Sequence, residues 1–357
     1  MSQAEAIVPA PGSLFRSEIF EQPAALERLL GANEEIERIA ATAVARNVQL
    51  VRMVGHGSSD NAASYGVYAF GLLPRWTAVR DSITLTVHYD TPIDLSGSMV
   101  IGLSQSGQTP DVVEYLLRAR KAGAFTVAIT NDADSDLAVA AEATIALGAG
   151  PELAVAATKT YVNTLGALAL LAGHIAGRGA EIEAGIRGAV ATLSDSLPAF
   201  EAATHSLALP FAYTGRMFVI GRGTEFATAR EIALKLLETC RIAAEPLTAT
   251  DLAHGPVAAL DPLFPVWAIA SADGTLATVQ EAAARIHAMG ATLVASGTAA
   301  TAVTVSSYRL PVPPTEPALL SPLLSVVPGQ LFALALSRAR GLDPDAPTGL
   351  NKVTLVT

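Results

Sequence analysis

Short apolar runs rich in Val and Ile alternate along this chain with longer stretches whose apolar residues recur every three to four positions. VQLVRMV (48–54) reads as a strand, followed by the loop GHGSSDN and a helical AASYGVYAFGLL. A second strand over 99–103 leads into SQSGQTP and a helix over 111–122, closed by Gly123, and 125–129 forms a third strand. Strand, loop, helix, strand is the order of a parallel sheet with crossover helices, so the pattern predicts an α/β fold.

The same order returns later. A strand over 217–220 precedes GRGTE and a helix, 266–269 precedes ASADGT and the helix TVQEAAARIHAMG, and another strand covers 292–295. Gly55 to Gly221 and Val100 to Val266 share an offset of 166, and Gly123 to Gly290 is offset by 167. A constant offset marks two related domains in tandem. The predicted organisation is an N-terminal helical segment (1–45), a first domain (46–200), a second (201–340) and a tail (341–357). A helical connector spans about 180–215, and Pro344 and Pro347 make the tail an extended arm.

Composition narrows the function classes. Apolar residues are 51% of the 357 and charged residues 16%, with a net charge of −10 and no basic cluster. That balance argues against nucleic acid as a partner. The N-terminus lacks the basic and apolar regions of a signal peptide. A single cysteine, Cys240, forms no intrachain disulfide and suits a reducing cytoplasm. The apolar stretch 161–176 is shorter than the roughly 20 residues of a membrane span and contains Asn163 and His174, so it reads as a buried or interface helix.

Two loops carry candidate chemistry. GHGSSDN supplies Ser58 and Ser59, and SQSGQTP supplies Ser104, Gln105, Ser106 and Thr109, with Thr109 and Pro110 placed as helix N-cap and first residue. Such loops can be ordinary turns and caps. Two of them at the C-terminal ends of parallel strands also form a receptor for a phosphate dianion, held by hydroxyls and a helix end rather than by lysine or arginine. In the second copy the corresponding TEF and ASADG lose this pattern, so phosphate binding is expected of the first half alone. Neither GHG nor GRG completes GxGxxG, and no GxxxxGK[ST] occurs, which argues against a nicotinamide cofactor and ATP hydrolysis. No cluster has metal-ligand spacing, and no cofactor is expected.

Glu231, Lys235 and Glu238 lie at i, i+4 and i+7 in GTEFATAREIALKLLETC, on one helical face. They form either a solvated ion-paired face or the acid, base and cation of a proton-transfer site. His254 follows in AHGP, where it is either a turn histidine or a group that titrates near neutral pH. Lys159 is placed to cap or support the phosphate loops, and Lys352 sits near the chain's end.

SQSGQT, ELAVAATKT, EIALKLLE, AHGP and GLNKVT together make the chain, from about Ser13 on, resemble the isomerase half of glucosamine-6-phosphate synthases. It looks closer still to stand-alone sugar isomerase (SIS) enzymes that deaminate glucosamine 6-phosphate. The resemblance implies two SIS domains, each a parallel sheet flanked by helices, in a homodimer with a shared active site and a small phosphorylated sugar as substrate. It implies that Ser58, Ser59, Ser104, Gln105, Ser106 and Thr109 hold the phosphate, and that Gly57, Val155 and Ala157 contact the substrate. Ala157 stands where the synthases commonly have serine. By the same resemblance Glu238 is the C1–C2 base, His254 opens the ring from the neighbouring subunit, Lys352 forms an imine with the open-chain ketose, and Lys235 and Glu231 support the developing charge. No amidotransferase module with an N-terminal cysteine is evident, so the resemblance implies deamination of glucosamine 6-phosphate to fructose 6-phosphate and ammonia. Isomerisation or deamination of another sugar phosphate, and phosphosugar sensing without catalysis, remain alternatives.

Overall fold

The computed structural model describes residues 10–352, and in it the apolar runs become the inner strands of two parallel sheets. The first contains β1 (Leu50–Val54), β2 (Thr77–Arg80), β3 (Ser98–Leu103), β4 (Phe125–Thr130) and β5 (Ala143–Ala146), in the order β2-β1-β3-β4-β5. The second contains β6 (Arg216–Gly221), β7 (Ala243–Thr248), β8 (Val266–Ile269), β9 (Leu293–Gly297) and β10 (Tyr308–Pro311), in the order β10-β9-β8-β6-β7. Read from its other edge, the second sheet repeats the first strand for strand, and all eight strand pairings are parallel.

Every residue of β3, β4, β8 and β9 is buried, as expected of strands covered on both faces. The lobes share one core, which runs from Met53, Ile101 and Val127 through Leu168 and Ile186 to Ile232, Trp267 and Phe332. Trp267 and Phe332 meet edge to face, with ring centroids 5.0 Å apart. Three helices fill the seam. The first, Lys159–Ile175, is buried from Lys159 through Gly173, as the 161–176 stretch predicted. The second is the 30-residue connector Gly179–Ala208, and the third is Pro322–Ala339. Among the described residues one helical stretch, Ala318–Ala339, is long and apolar enough to cross a membrane, with mean hydropathy 1.8, but 89% of that window is buried inside the fold.

Four expectations change. The first loop is shorter than read, because the helix after β1 begins at Ser58 rather than near residue 62. Gly57, at φ 55°, turns the chain sharply, and the Asn61 N–H then closes onto the Gly57 carbonyl at 3.0 Å. Ser58 and Ser59 therefore sit in the first turn of a helix. Thr109 occupies an N-cap position without a side-chain cap bond, because its hydroxyl pairs with Ser104 Oγ at 2.9 Å instead. Strands β2, β5, β7 and β10 and the Pro322–Ala339 helix were not legible beforehand. The tail leaves the second lobe but does not run free. Asp343 accepts from the Gly12 N–H (3.0 Å), and Asp345 accepts from the Leu14 and Phe15 N–H groups (3.1 and 2.7 Å) at the start of the Ser13–Phe20 helix.

Candidate functional site

In the first sheet, β2 lies on one side of β1 and β3 on the other, which places a topological switch point between β1 and β3. The two serine-bearing segments follow these two strands, and a cavity of about 460 Å³ opens where they converge, within the usual range for a small ligand. Its wall contains Gly57, Ser58, Ser59, Ser104, Gln105, Ser106 and Thr109 from the first lobe and Val155 and Ala157 from the 151–158 loop. Glu238 enters from the second lobe and Lys352 from the tail. A groove of similar size lined by Glu181, Thr192 and Pro314 shows no comparable convergence of functional groups.

The second loop folds tightly. Ser104 Oγ accepts the Gly107 N–H at 3.1 Å, and Gln105 O accepts the Asn131 N–H at 3.1 Å. Gly107 has φ 64°, and a Cβ there would lie 2.0 Å from Ser135 Oγ, so only glycine lets the loop close. The Pro110–Lys121 helix then starts at the cavity wall, where Thr109 and Asp111 line it, so the positive end of its dipole lies at the cavity.

The Glu225–Cys240 helix supplies the charged groups. Glu231 and Lys235 are fully buried, and Glu238 is 20% exposed where it meets the cavity. Lys235 Nζ lies 2.6 Å from Glu238 and 3.3 Å from Glu231. These three are therefore an internal ion cluster, not a solvated face. Burial works against the Lys235 ammonium, but Glu231 and Glu238 outweigh it and hold its pKa above the ordinary value, so the lysine stays a cation. Burial pushes the Glu231 carboxyl up against the opposing pull of Lys235. The first lobe reaches into this cluster. Ser58 Oγ donates to Glu231 at 2.9 Å, Asn61 Nδ2 donates to its other oxygen at 2.9 Å, and Lys235 donates to Ser58 Oγ at 3.3 Å. The Ser58 hydroxyl is thus committed to the acidic helix, and Asn61, one turn on, is a partner that sequence reasoning did not single out. A second strap runs beside it, in which Arg230 donates to Asp60 at 2.7 Å and to Ser64 at 2.5 Å.

Lys352 donates to the buried carboxylate of Glu152 at 2.7 Å. Burial raises the Glu152 pKa, yet Lys352 and the Thr158 and Thr160 N–H groups overcome it and leave the carboxyl below its ordinary range. Glu152 lies in ELAVAATKT and was missed as a partner because 200 residues separate it from Lys352. Behind it, Glu18 accepts from the Leu153 and Ala154 N–H groups and so holds the loop that presents Val155 and Ala157. Burial raises the Glu18 carboxyl to about 7, against the pull of the Leu153 N–H and with the push of Glu152. A carboxyl raised in the fold contributes most while neutral. Its contribution is whole below the ordinary value near 4.5 and is lost as pH rises through about 7. Glu18→Gln is therefore expected to raise the melting temperature, relative to the parent, more at pH 8 than at pH 5. An equal shift at both values would contradict this assignment.

Two expected participants are elsewhere. Lys159 does not support the hydroxyl loops: its ammonium is buried and paired with Glu21 at 2.7 Å, tying the seam helix to the N-terminal segment. His254, exposed at the end of the 3-10 turn Asp251–His254, does not line the cavity of its own chain. The second lobe's counterpart of the hydroxyl site is filled from within. One hydroxyl does survive in ASADG, but Ser271 donates to the buried Glu225 carboxyl at 2.9 Å, as do Ser321 and Thr228, each at 2.6 Å. Glu225 stands 166 residues after Ser59, so an internal acid occupies the place where the first lobe is open.

Two parallel five-stranded lobes, with a cavity at the β1/β3 switch point where the hydroxyl segments converge, define a tandem α/β protein. The chain belongs to the SIS domain family, whose model matches residues 46–173 and again 211–337. It is homologous to the isomerase domain of glutamine–fructose-6-phosphate aminotransferase. The Thermococcus kodakarensis enzyme of that name, described as isomerizing, is 35% identical over 95% of this chain, and the chain spans 57% of that relative's length. A solved candidate phosphosugar isomerase from Silicibacter pomeroyi is 35% identical, with TM-score 0.83 over 93% of this chain and 99% of that one. A glucosamine-6-phosphate deaminase from Thermotoga maritima shares the fold at TM-score 0.75 and 20% identity, over 96% of this chain and all of that one.

Proposed function

We propose that the chain is an aldose–ketose isomerase of sugar phosphates that deaminates glucosamine 6-phosphate to fructose 6-phosphate and ammonia. The observation that carries this reading is one cavity shared by the hydroxyls of Ser104, Ser106 and Thr109, the carboxylate of Glu238 and the ammonium of Lys352. The phosphate binds at the hydroxyls and the helix end, with Ser59 and the Gln105 segment beside it, while Gly57, Val155 and Ala157 contact the sugar. Glu238 takes the proton from C2 of the opened amino sugar and returns it to C1, converting the 2-amino aldehyde to a 2-imine. Lys235, a fixed buried cation supported by Glu231, stabilises the charge that develops during this transfer. Lys352 adds to the C2 imine and expels ammonia, and water then releases the ketose and the free lysine. For this step the Lys352 ammonium must part from Glu152 and lose a proton. The family resemblance gives ring opening to His254 of the partner subunit, and the chain's own His254 lies outside the cavity, which is consistent with that role. The direction chosen needs water alone as co-reactant, and the names of the aminotransferase and deaminase relatives support a reading with nitrogen chemistry. The Silicibacter neighbour favours isomerisation without nitrogen as a second reading. Ammonia release from glucosamine 6-phosphate by the purified protein separates them. The first reading predicts catalytic release. Conversion of a hexose phosphate with no ammonia from any amino sugar phosphate would select the second.

A further inference from the structure

The cavity wall contains a pair that the roles above do not use. His56 lies between β1 and Gly57, and Asp111 lies in the first turn of the Pro110–Lys121 helix, so the pair joins the two hydroxyl-bearing segments. His56 Nε2 donates to Asp111 Oδ2 at 2.7 Å. The Asp111 side chain is 9% exposed and that of His56 is 59% exposed. The second Asp111 oxygen, Oδ1, is buried without a hydrogen-bond partner among the described residues. A buried carboxylate with an unspent acceptor is costly, and here it lines a ligand cavity.

Its position also poses an electrostatic problem. A phosphate dianion held by Ser104, Ser106 and Thr109 would face a carboxylate a few residues along the same segment, and like charges a few ångströms apart repel. No lysine or arginine of either loop offsets this. Of the other charged groups on the cavity wall, Glu238 pairs with Lys235, and Lys352 pairs with Glu152 and serves the carbon end of the sugar. The remaining neutralising group is His56. With Nε2–H fixed on Asp111, a protonated ring presents Nδ1–H as a second donor on the exposed side.

We propose that His56, anchored by Asp111, is the cationic donor of a phosphate site whose two loops carry no lysine or arginine, and that it determines the site's preference for phosphorylated over unphosphorylated sugars. The pair is neutral when both members are ionised, so it cancels the carboxylate and adds a charge-assisted hydrogen bond to the phosphate. This inference rests on the sugar-phosphate reading above and deepens it.

The test is calorimetric binding of glucosamine 6-phosphate, inorganic phosphate and glucosamine to the wild-type chain and to His56→Gln and His56→Arg. His56→Gln should weaken both phosphate-bearing ligands about 10-fold or more, the worth of a hydrogen bond to a charged group, and leave glucosamine unaffected. His56→Arg, which restores the charge, should bind within about threefold of wild type. Equal binding of glucosamine 6-phosphate by wild type and His56→Gln would overturn the proposal. So would an equal loss for glucosamine, which would place His56 on the sugar ring, or an equal loss in His56→Arg. If the wild-type chain binds no phosphorylated ligand at all, the sugar-phosphate reading itself is what fails.

Discussion

Glu238→Gln is expected to lower kcat for glucosamine 6-phosphate by about 10²–10⁴-fold, the usual worth of a positioned proton-transfer group. The amide keeps the shape of the carboxylate but cannot accept a proton from C2. Glu238 is the one member of the acidic helix cluster that reaches the cavity; Glu231 and Lys235 stand behind it. The phosphate is gripped from the other lobe, so binding should survive. Calorimetry should find the dissociation constant within about threefold of the parent while steady-state assays find turnover lost. Wild-type turnover in this variant would remove Glu238 from the chemistry. Equal loss of binding and turnover would make it a ligand-holding group instead.

Lys235→Met is expected to be the most destabilising single change at the site. The ammonium is fully buried between Glu231 and Glu238, and its removal leaves two carboxylates facing each other with no cation. Breaking a buried pair in this way costs about 3–5 kcal/mol, because the remaining charge is left uncompensated rather than because the pair itself was worth so much. The double variant Glu231→Gln, Lys235→Met should therefore be more stable than Lys235→Met alone. Ser58 and Asn61 can still hydrogen-bond the amide at 231, and the buried anion is gone. Urea denaturation of the three proteins measures both effects. A single variant within about 1 kcal/mol of the parent would contradict the burial and charge state assigned to Lys235.

The inner strands were legible because burial on both faces selects unbroken apolar runs, as in MVIGL of β3 and VWAI of β8. The edge strands were not, because partial exposure removes that signal. All of β2 is at least partly exposed, and three of the four residues of β10 are exposed. Strand β7 carries Glu245 and Pro246, which read as loop but are tolerated at a sheet edge. The Pro322–Ala339 helix is buried on nearly all sides and so has no amphipathic period to find. At the site, the hydroxyl segments and the i, i+4, i+7 charges were visible because each is local in sequence. Glu152 against Lys352, Glu18 against the 153–154 backbone, and Asn61 against Glu231 were not. Each pair joins residues more than 130 positions apart, which only the folded chain brings together.

The central claim is that one cavity holds the phosphate on the first lobe and presents C1 and C2 of the same sugar to the second lobe and the tail. A crystal structure of the assembled protein with a bound hexose phosphate tests it most directly. The account predicts phosphate oxygens within hydrogen-bonding reach of Ser104, Ser106 and Thr109, with C1 and C2 facing Glu238 and Lys352 and His254 of a partner subunit against the ring oxygen. Ligand bound in the second lobe near Glu225, or in the Glu181–Pro314 groove, would contradict it.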